Sequence, residues 1–293
     1  MTEQQVDLSI VIVNWNTKKM TDECISAVKE SVKDTPMSVE IVLVDNASTD
    51  GSIEMLEMNH PDITLIKNKE NIGFGRANNK GILASKGTFT FLLNSDTIPV
   101  GRAIPKLFDF SLHHPKSFVG PKLLNADRSP QTSCGPGMSL PVIFAALFLK
   151  GDVIGLTRWS PTKTKAVDWV SGAAMIAPKK LFISNLLFDE DIFMYMEEID
   201  LLYRAKQKGL SVYFYPGSQI IHFGGGSSVN KRKGPVLNIF KGFLFLYKKH
   251  FPGWRVSVLR TFLHLKAMVG VVVGTLTGNK ELKEIYAEAY RLV

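Results

Sequence analysis

The hydrophobic positions of the first hundred residues fall into short unbroken runs. Residues 8–13, 40–44, 63–67 and 89–93 are dense in Val, Ile, Leu and Phe, the pattern of strands covered on both faces. Between them, helices are predicted over about 21–32, 48–58 and 77–85, the second introduced by the turn and capping residues Ser48-Thr49-Asp50-Gly51. Strand and helix therefore alternate, which predicts an α/β fold with a mostly parallel sheet flanked by helices. Ligands of such sheets lie beyond the carboxyl ends of the strands. Asn14, Asp45, Asn71 and Asp96 each fall just past a predicted strand, so the pattern places all four at one crevice.

The pattern loosens over 101–166, where prolines stand at 105, 115, 121, 130, 136, 141 and 161 and an apolar stretch, PVIFAALFL, fills 141–149. A long substrate-facing excursion is predicted there. Order returns over 167–177, then as a helix over 195–208 and a strand over 211–215 that leads to His222. Beyond Gly234 the chain reads as helical and basic, which divides it into a catalytic domain over 1–234 and a basic amphipathic helical extension over 235–293.

Charge sharpens that division. The net charge is +8, yet between Leu201 and Lys280 there is no Asp or Glu against thirteen Lys and Arg. These cations are interleaved with Phe, Leu, Val and Trp and accompany no nucleic-acid motif, so an anionic membrane surface is the expected partner and nucleic acid is not. A helical pair packed on the catalytic domain, or a homo-oligomer contact, is the plainer reading. The most apolar block, 267–276, is about half the roughly 20 residues a spanning helix needs, which predicts a peripheral helix lying on the bilayer. The N-terminus carries acids where a secretory signal carries Lys or Arg. Cys24 and Cys134 belong to no metal or disulfide pattern. The expected location is the cytoplasmic face of the inner (plasma) membrane.

Four segments carry candidate chemistry. NIGFGRANNKG, 71–81, joins a strand to a helix with two close glycines, an arrangement that lets backbone and Arg76 approach phosphate or that serves as an ordinary turn. Asn94-Ser95-Asp96 puts a carboxylate at a strand end, where a hard cation bridging two phosphates takes oxygen ligands. Glu197, Glu198 and Asp200 crowd a helix start among Phe193, Met194, Tyr195, Ile199 and Leu201, with Glu197 and Asp200 expected on one helix face. His222 precedes Gly224-Gly225-Gly226-Ser227-Ser228 and is a ligand candidate.

Taken in order, IVIVNWN, VLVDNASTDGS, NIGFGRANNKG, FLLNSDT, VDWVSGAAM, FDEDIFMYMEEIDLLYR and HFGGGSS resemble the inverting family 2 glycosyltransferases of GT-A fold, within them the bacterial rhamnosyltransferase-like branch. The resemblance covers about residues 8–228. It implies a donor site for a dTDP- or UDP-linked sugar formed by Asn14, Asp45, Asn71, Gly73, Arg76, Asn78, Ser95 and Asp96. It implies Mg or Mn held by Asp96 and His222, with Asn94 standing where the family's DxD motif has its first acid. It makes Glu198 the catalytic base, in a Glu-Glu pair where Glu-Asp is usual. Trp169, Ser171, Gly172 and Glu197 are the implied acceptor side. The resemblance favours dTDP-L-rhamnose over UDP-galactofuranose or UDP-GlcNAc, and an undecaprenyl-diphosphate-linked saccharide as acceptor. A non-catalytic sugar-nucleotide-binding module is the competing class.

Overall fold

The computed structural model describes residues 6–184, 186–224 and 233–293. It opens with β1 (Leu8–Asn14), α1 (Lys18–Val32), β2 (Val39–Asp45), α2 (Ser52–Asn59), β3 (Thr64–Lys67), α3 (Phe74–Ala84) and β4 (Phe89–Asn94), the alternation that the hydrophobic runs predict. In β1 the period of two sends Leu8, Ile10 and Ile12 into one core and Val11 into the other. The strand lies between β2 and β4, parallel to both, with Asn14 opposite Asp45 and Val13 opposite Asn94. This register lines up the carboxyl ends of three strands at one edge.

The chain continues through β5 (Thr97–Pro99), α4 (Ala103–Leu112), β6 (Ser117–Leu124), β7 (Cys134–Gly135), α5 (Leu140–Phe148), β8 (Lys165–Ala166), β9 (Trp169–Val170), β10 (Ala174–Pro178), α6 (Lys179–Ile183), α7 (Glu197–Gln207) and β11 (Ser211–His222). The main sheet runs β3-β2-β1-β4-β10-β6-β11-β5, with β8 against β11, while β7 and β9 form a separate pair. β10 is antiparallel to both β4 and β6, so the sheet is mixed.

Residues 101–166 are thus less loose than expected: they supply α4, α5 and an interior strand, β6. Their prolines sit where they do little harm. Pro105 is in the first turn of α4 and Pro141 in that of α5, positions that need no donated hydrogen bond. Pro121 pairs with Tyr215, where the β6–β11 register breaks. The same break hides β11's length, which runs to His222 rather than stopping near 215.

Three helices end the chain: α8 (Lys233–His250), α9 (Gly253–Leu276) and α10 (Lys280–Leu292). Leu237, Phe240, Phe243, Leu244 and Tyr247 of α8 share a core with Leu259 and Leu263 of α9, Ala289 of α10 and Ile143 of α5. α8 also reaches the sheet's second core: Leu246 joins it, and the Tyr247 hydroxyl donates to the Met138 carbonyl at 2.8 Å. α9 is one helix of 24 residues rather than a short apolar block, and by length and composition it is long and apolar enough to cross a membrane. α10 returns along it, its close approach allowed by Gly274, where a Cβ would lie 2.6 Å from the Lys283 nitrogen.

Candidate active site

At the aligned strand ends, Asn14 and Asp45 are both 0% exposed. The Asn14 amide donates to Asp45 Oδ2 at 2.6 Å and to Ser48 Oγ at 3.0 Å, and its oxygen accepts from Thr17 at 2.6 Å and Thr21 at 2.7 Å. All four hydrogen-bonding positions of the amide are used. The second Asp45 oxygen accepts the Ser48 N–H at 2.8 Å. These two residues, expected at the donor site, form a frame that holds β1, β2 and α1 together, and neither lines the cavity.

Above this frame opens a cavity of about 460 Å³, whose lining includes Asn71, Ser95, Asp96, Ser171, Gly172, Glu197, Glu198 and His222. The fold thus gathers eight of the sequence-predicted site residues from five separate segments. Gly73, Arg76, Asn78 and Trp169 do not line it, and each has a structural task. Gly73 has φ +88°, and a Cβ there would lie 2.6 Å from the Phe193 carbonyl, which the next residue's N–H needs as acceptor at 3.0 Å. Arg76 donates from Nε to the Glu190 carbonyl at 2.7 Å and so ties α3 to the loop before α7. Asn78 bonds back to the Phe74 carbonyl within α3 at 3.0 Å. Trp169 is buried in the core at 1% exposure with its indole N–H on the Pro136 carbonyl at 2.9 Å.

Asp96 Oδ1 and His222 Nε2 face each other at 3.4 Å. The other ring nitrogen, Nδ1, lies 2.8 Å from Gln131 Oε1. An amide oxygen accepts only, so Nδ1 carries a proton and Nε2 is the ring atom turned towards the carboxylate. Two acceptors so placed call for a proton or a cation between them. Nearby, Asn94 Oδ1 is buried without a hydrogen-bond partner. Among the described residues no group of three or more His, Cys, Asp or Glu could hold a metal ion. The Asp96 and Asn94 oxygens fit a hard cation completed by phosphate oxygens, and the His222 nitrogen beside them suits a divalent transition metal such as Mn²⁺ better than Mg²⁺. Of the HFGGGSS segment, residues 225–228 lie outside the described residues.

The carboxylates of α7 are delivered differently. Tyr195 and Met196, just before the helix, have φ of +69° and +73°, a left-handed pair that costs on the order of 1–3 kcal/mol per residue. α8 holds this turn: a Cβ on Gly242 would lie 2.7 Å from Met196 Cγ and 2.9 Å from the Tyr195 carbonyl. Glu197 is 6% exposed and its Oε2 has no partner. Burial, and then the charge of Glu198, push its carboxyl well above the usual range. Burial also pushes Glu198 up, while the Gly172 N–H and the nearby charge of Arg158 oppose the rise. Two adjacent carboxyls in unlike environments are the arrangement that separates an acid from a base.

Asp200 is buried on the same side of α7 as Glu197, as predicted, but its partners differ. It is fully buried and accepts from Arg204 at 2.7 Å, Lys249 at 2.9 Å and His250 at 2.7 Å. Burial alone would raise its carboxyl, but those hydrogen bonds and the Arg204 charge hold it below the usual range. It fastens α8 to α7. Arg158, Trp15 and Tyr195 also line the cavity. Sequence reasoning missed them because Arg158 lies in the proline-rich segment and the other two look like ordinary packing aromatics.

Residues 9–132 match the family described as glycosyl transferase family 2. An N-acetylglucosaminyl-diphospho-decaprenol L-rhamnosyltransferase of Mycobacterium tuberculosis is 25% identical over 248 residues, covering 76% of this chain and 80% of that protein. The low-salt glycan biosynthesis hexosyltransferase Agl10 of Haloferax volcanii is 28% identical over 214 residues, 70% of this chain and 64% of that one. Among solved structures, S. aureus TarS 1-349 superposes with a TM-score of 0.58 at 14% identity, covering 97% of this chain and 79% of that chain. That likeness concerns the fold alone.

Proposed function

We propose, from the premise that the chain is a family 2 glycosyltransferase of GT-A fold, that it moves L-rhamnose from dTDP-L-rhamnose, with inversion, onto a lipid-diphosphate-linked saccharide of a bacterial cell surface. The observation that carries the transfer is Glu198, a half-buried carboxylate in the same cavity as the Asp96–His222 pair. Glu198 takes the proton of an acceptor hydroxyl as that oxygen attacks the anomeric carbon and the nucleoside diphosphate departs from the opposite side. Glu197, whose carboxyl burial pushes well above the usual range, stands on the acceptor side together with Ser171 and the Gly172 backbone. Asn71 and Ser95 contact the donor, and Asp45 and Asn14 keep the strand ends in register beneath it. Asp96 and His222 would hold Mg or Mn, which when bound supplies positive charge to the leaving diphosphate.

The sugar and the acceptor follow the Mycobacterium relative's name, the dTDP carrier follows the motif resemblance, and UDP-galactofuranose and UDP-GlcNAc are the competing donors. The membrane reading rests on α9. Leu265, Met268, Val269, Val272 and Leu276 are exposed at helical spacing along it. Crossing the bilayer would carry α10 and its Glu281, Glu284 and Glu288 along, at about 3 kcal/mol for each buried charge on insertion scales. α9 therefore lies in the interface at the cytoplasmic face of the membrane, with the exposed Arg255 and Arg260 available to anionic headgroups.

The test is transfer from each of the three donors to GlcNAc carried on a lipid diphosphate, with Mn present, for the native chain and Glu198→Gln. Product from dTDP-L-rhamnose that disappears in the variant is expected. Nucleotide binding without turnover for every donor would favour a non-catalytic binding module instead.

A further inference from the structure

Arg158 has no part in the chemistry described so far, yet it is the cation beside the proposed base. It is exposed, lines the cavity, and makes no hydrogen bond or salt bridge among the described residues. Its place is nevertheless well defined. The guanidinium sits 5.2 Å from the centroid of the buried Trp169 ring. The following residue is pinned by Trp159 N–H to the Cys134 carbonyl at 2.8 Å and by Ser133 N–H to the Trp159 carbonyl at 2.9 Å. A planar cation stacked on an aromatic platform, with its N–H groups unspent, suits bidentate recognition of phosphate.

The segment leading to Arg158 is built just as firmly and is apolar outward. Gly151 N–H bonds to Ala145 at 2.9 Å, and Leu156 and Thr157 bond to Gly151 at 2.7 and 3.0 Å. This folded turn leaves Val153 76%, Ile154 61% and Leu156 53% exposed. The surface continues through Phe144 of α5, whose ring lies 5.4 Å from Phe262 of α9, towards the exposed stripe of α9. Along one wall the order is therefore apolar turn, cation, carboxylate.

We propose that Arg158 is the acceptor's diphosphate subsite: it holds the diphosphate while the polyprenyl chain leaves over Val153, Ile154 and Leu156 and the sugar hydroxyl reaches Glu198. The inference rests on the reading of the acceptor as a lipid-diphosphate saccharide. An amphiphile carrying tail, diphosphate and sugar presents the same three chemistries in the same order. The charge of Arg158 acts on Glu198, which places it with the acceptor's base rather than with Asp96.

The experiment measures binding as well as turnover on the full chain, using two probes: GlcNAc on farnesyl diphosphate, and the neutral farnesyl β-glycoside of GlcNAc. Arg158→Gln is expected to weaken binding of the diphosphate probe by about tenfold or more while leaving the neutral probe unchanged, with Arg158→Lys recovering part of the loss. In turnover, the ratio of kcat/KM between the two probes should fall by the same factor, since any effect on Glu198 itself cancels in the ratio. Equal losses on both probes, or a raised KM for the nucleotide sugar with the probe ratio intact, would overturn the assignment. A chain that binds the diphosphate probe through Arg158 but transfers no sugar would leave this subsite standing and sink the transferase reading.

Discussion

The strand-end frame and the α7 wall border one cavity and are built on opposite terms. In the frame, Asn14 has all four of its hydrogen-bonding positions filled, and Asp45 has both oxygens engaged. In the wall, Glu197 keeps an unpartnered buried oxygen, Glu198 and Glu197 are both raised by burial, and two left-handed residues precede them. The first arrangement lowers the energy of the fold. The second costs stability and is held by neighbours, as strained functional segments are. The lesson is that a carboxylate at the end of a strand is no sign of chemistry until its partners are counted.

The contrast can be broken by substitution, and the largest effect should come from the wall. Glu198→Gln is expected to cut transfer by about 10³-fold, within the range for loss of a general base, while nucleotide binding followed by thermal shift is retained. Asn14→Ala should do the reverse. It removes a hydrogen bond to a buried carboxylate and is expected to lower stability by about 2–3 kcal/mol, read from urea unfolding. A wall variant that unfolds the protein as readily as Asn14→Ala would erase the distinction.

A smaller effect is expected where α8 grips the wall. Gly242→Ala places a methyl against Met196 and should cost about 1–3 kcal/mol, with kcat falling more than donor KM rises. If kcat is untouched, the turn before α7 is not held by that contact. The pH profile sharpens the same point. As the proposed base Glu198 must be ionised to act, and its carboxyl is raised, so kcat/KM should fall on the acid side with a midpoint above the ordinary Glu value of about 4.3.

The subtlest test concerns stability against pH. Glu197 is raised in the folded state, so its contribution is fully present below the unfolded Glu value and is lost as pH rises through the folded one. Glu197→Gln should therefore raise Tm slightly near pH 8 and lose that advantage below about pH 4. An advantage that persists in acid would mean that packing, not ionisation, sets the difference.

The N-terminal alternation was legible because unbroken runs such as IVIV in β1 have one stable use, a strand covered on both faces. The stretch over 101–166 was not, because its prolines read as breakers, whereas the fold places them at helix starts and at a register break where their missing N–H costs little. The ten-residue apolar block read at 267–276 proved to be the end of a 24-residue helix, because Arg255, Arg260 and Lys266 interrupt the composition without interrupting the helix.

Taken alone, the residues determined the α/β class, the strand-end crevice, the acid-rich start of α7 and the family resemblance, since these depend on local pattern and ordered motifs. Only the tertiary structure decided which polar groups remain available. Asn14, Asp45, Arg76 and Trp169 look like ligand residues in the chain, and each has at least one hydrogen-bond partner 31 or more positions away. Arg158 looks like loop and stands with spare donors at the cavity wall. Hydrogen-bond capacity is finite, and long-range partners that no local pattern records determine where it is used up.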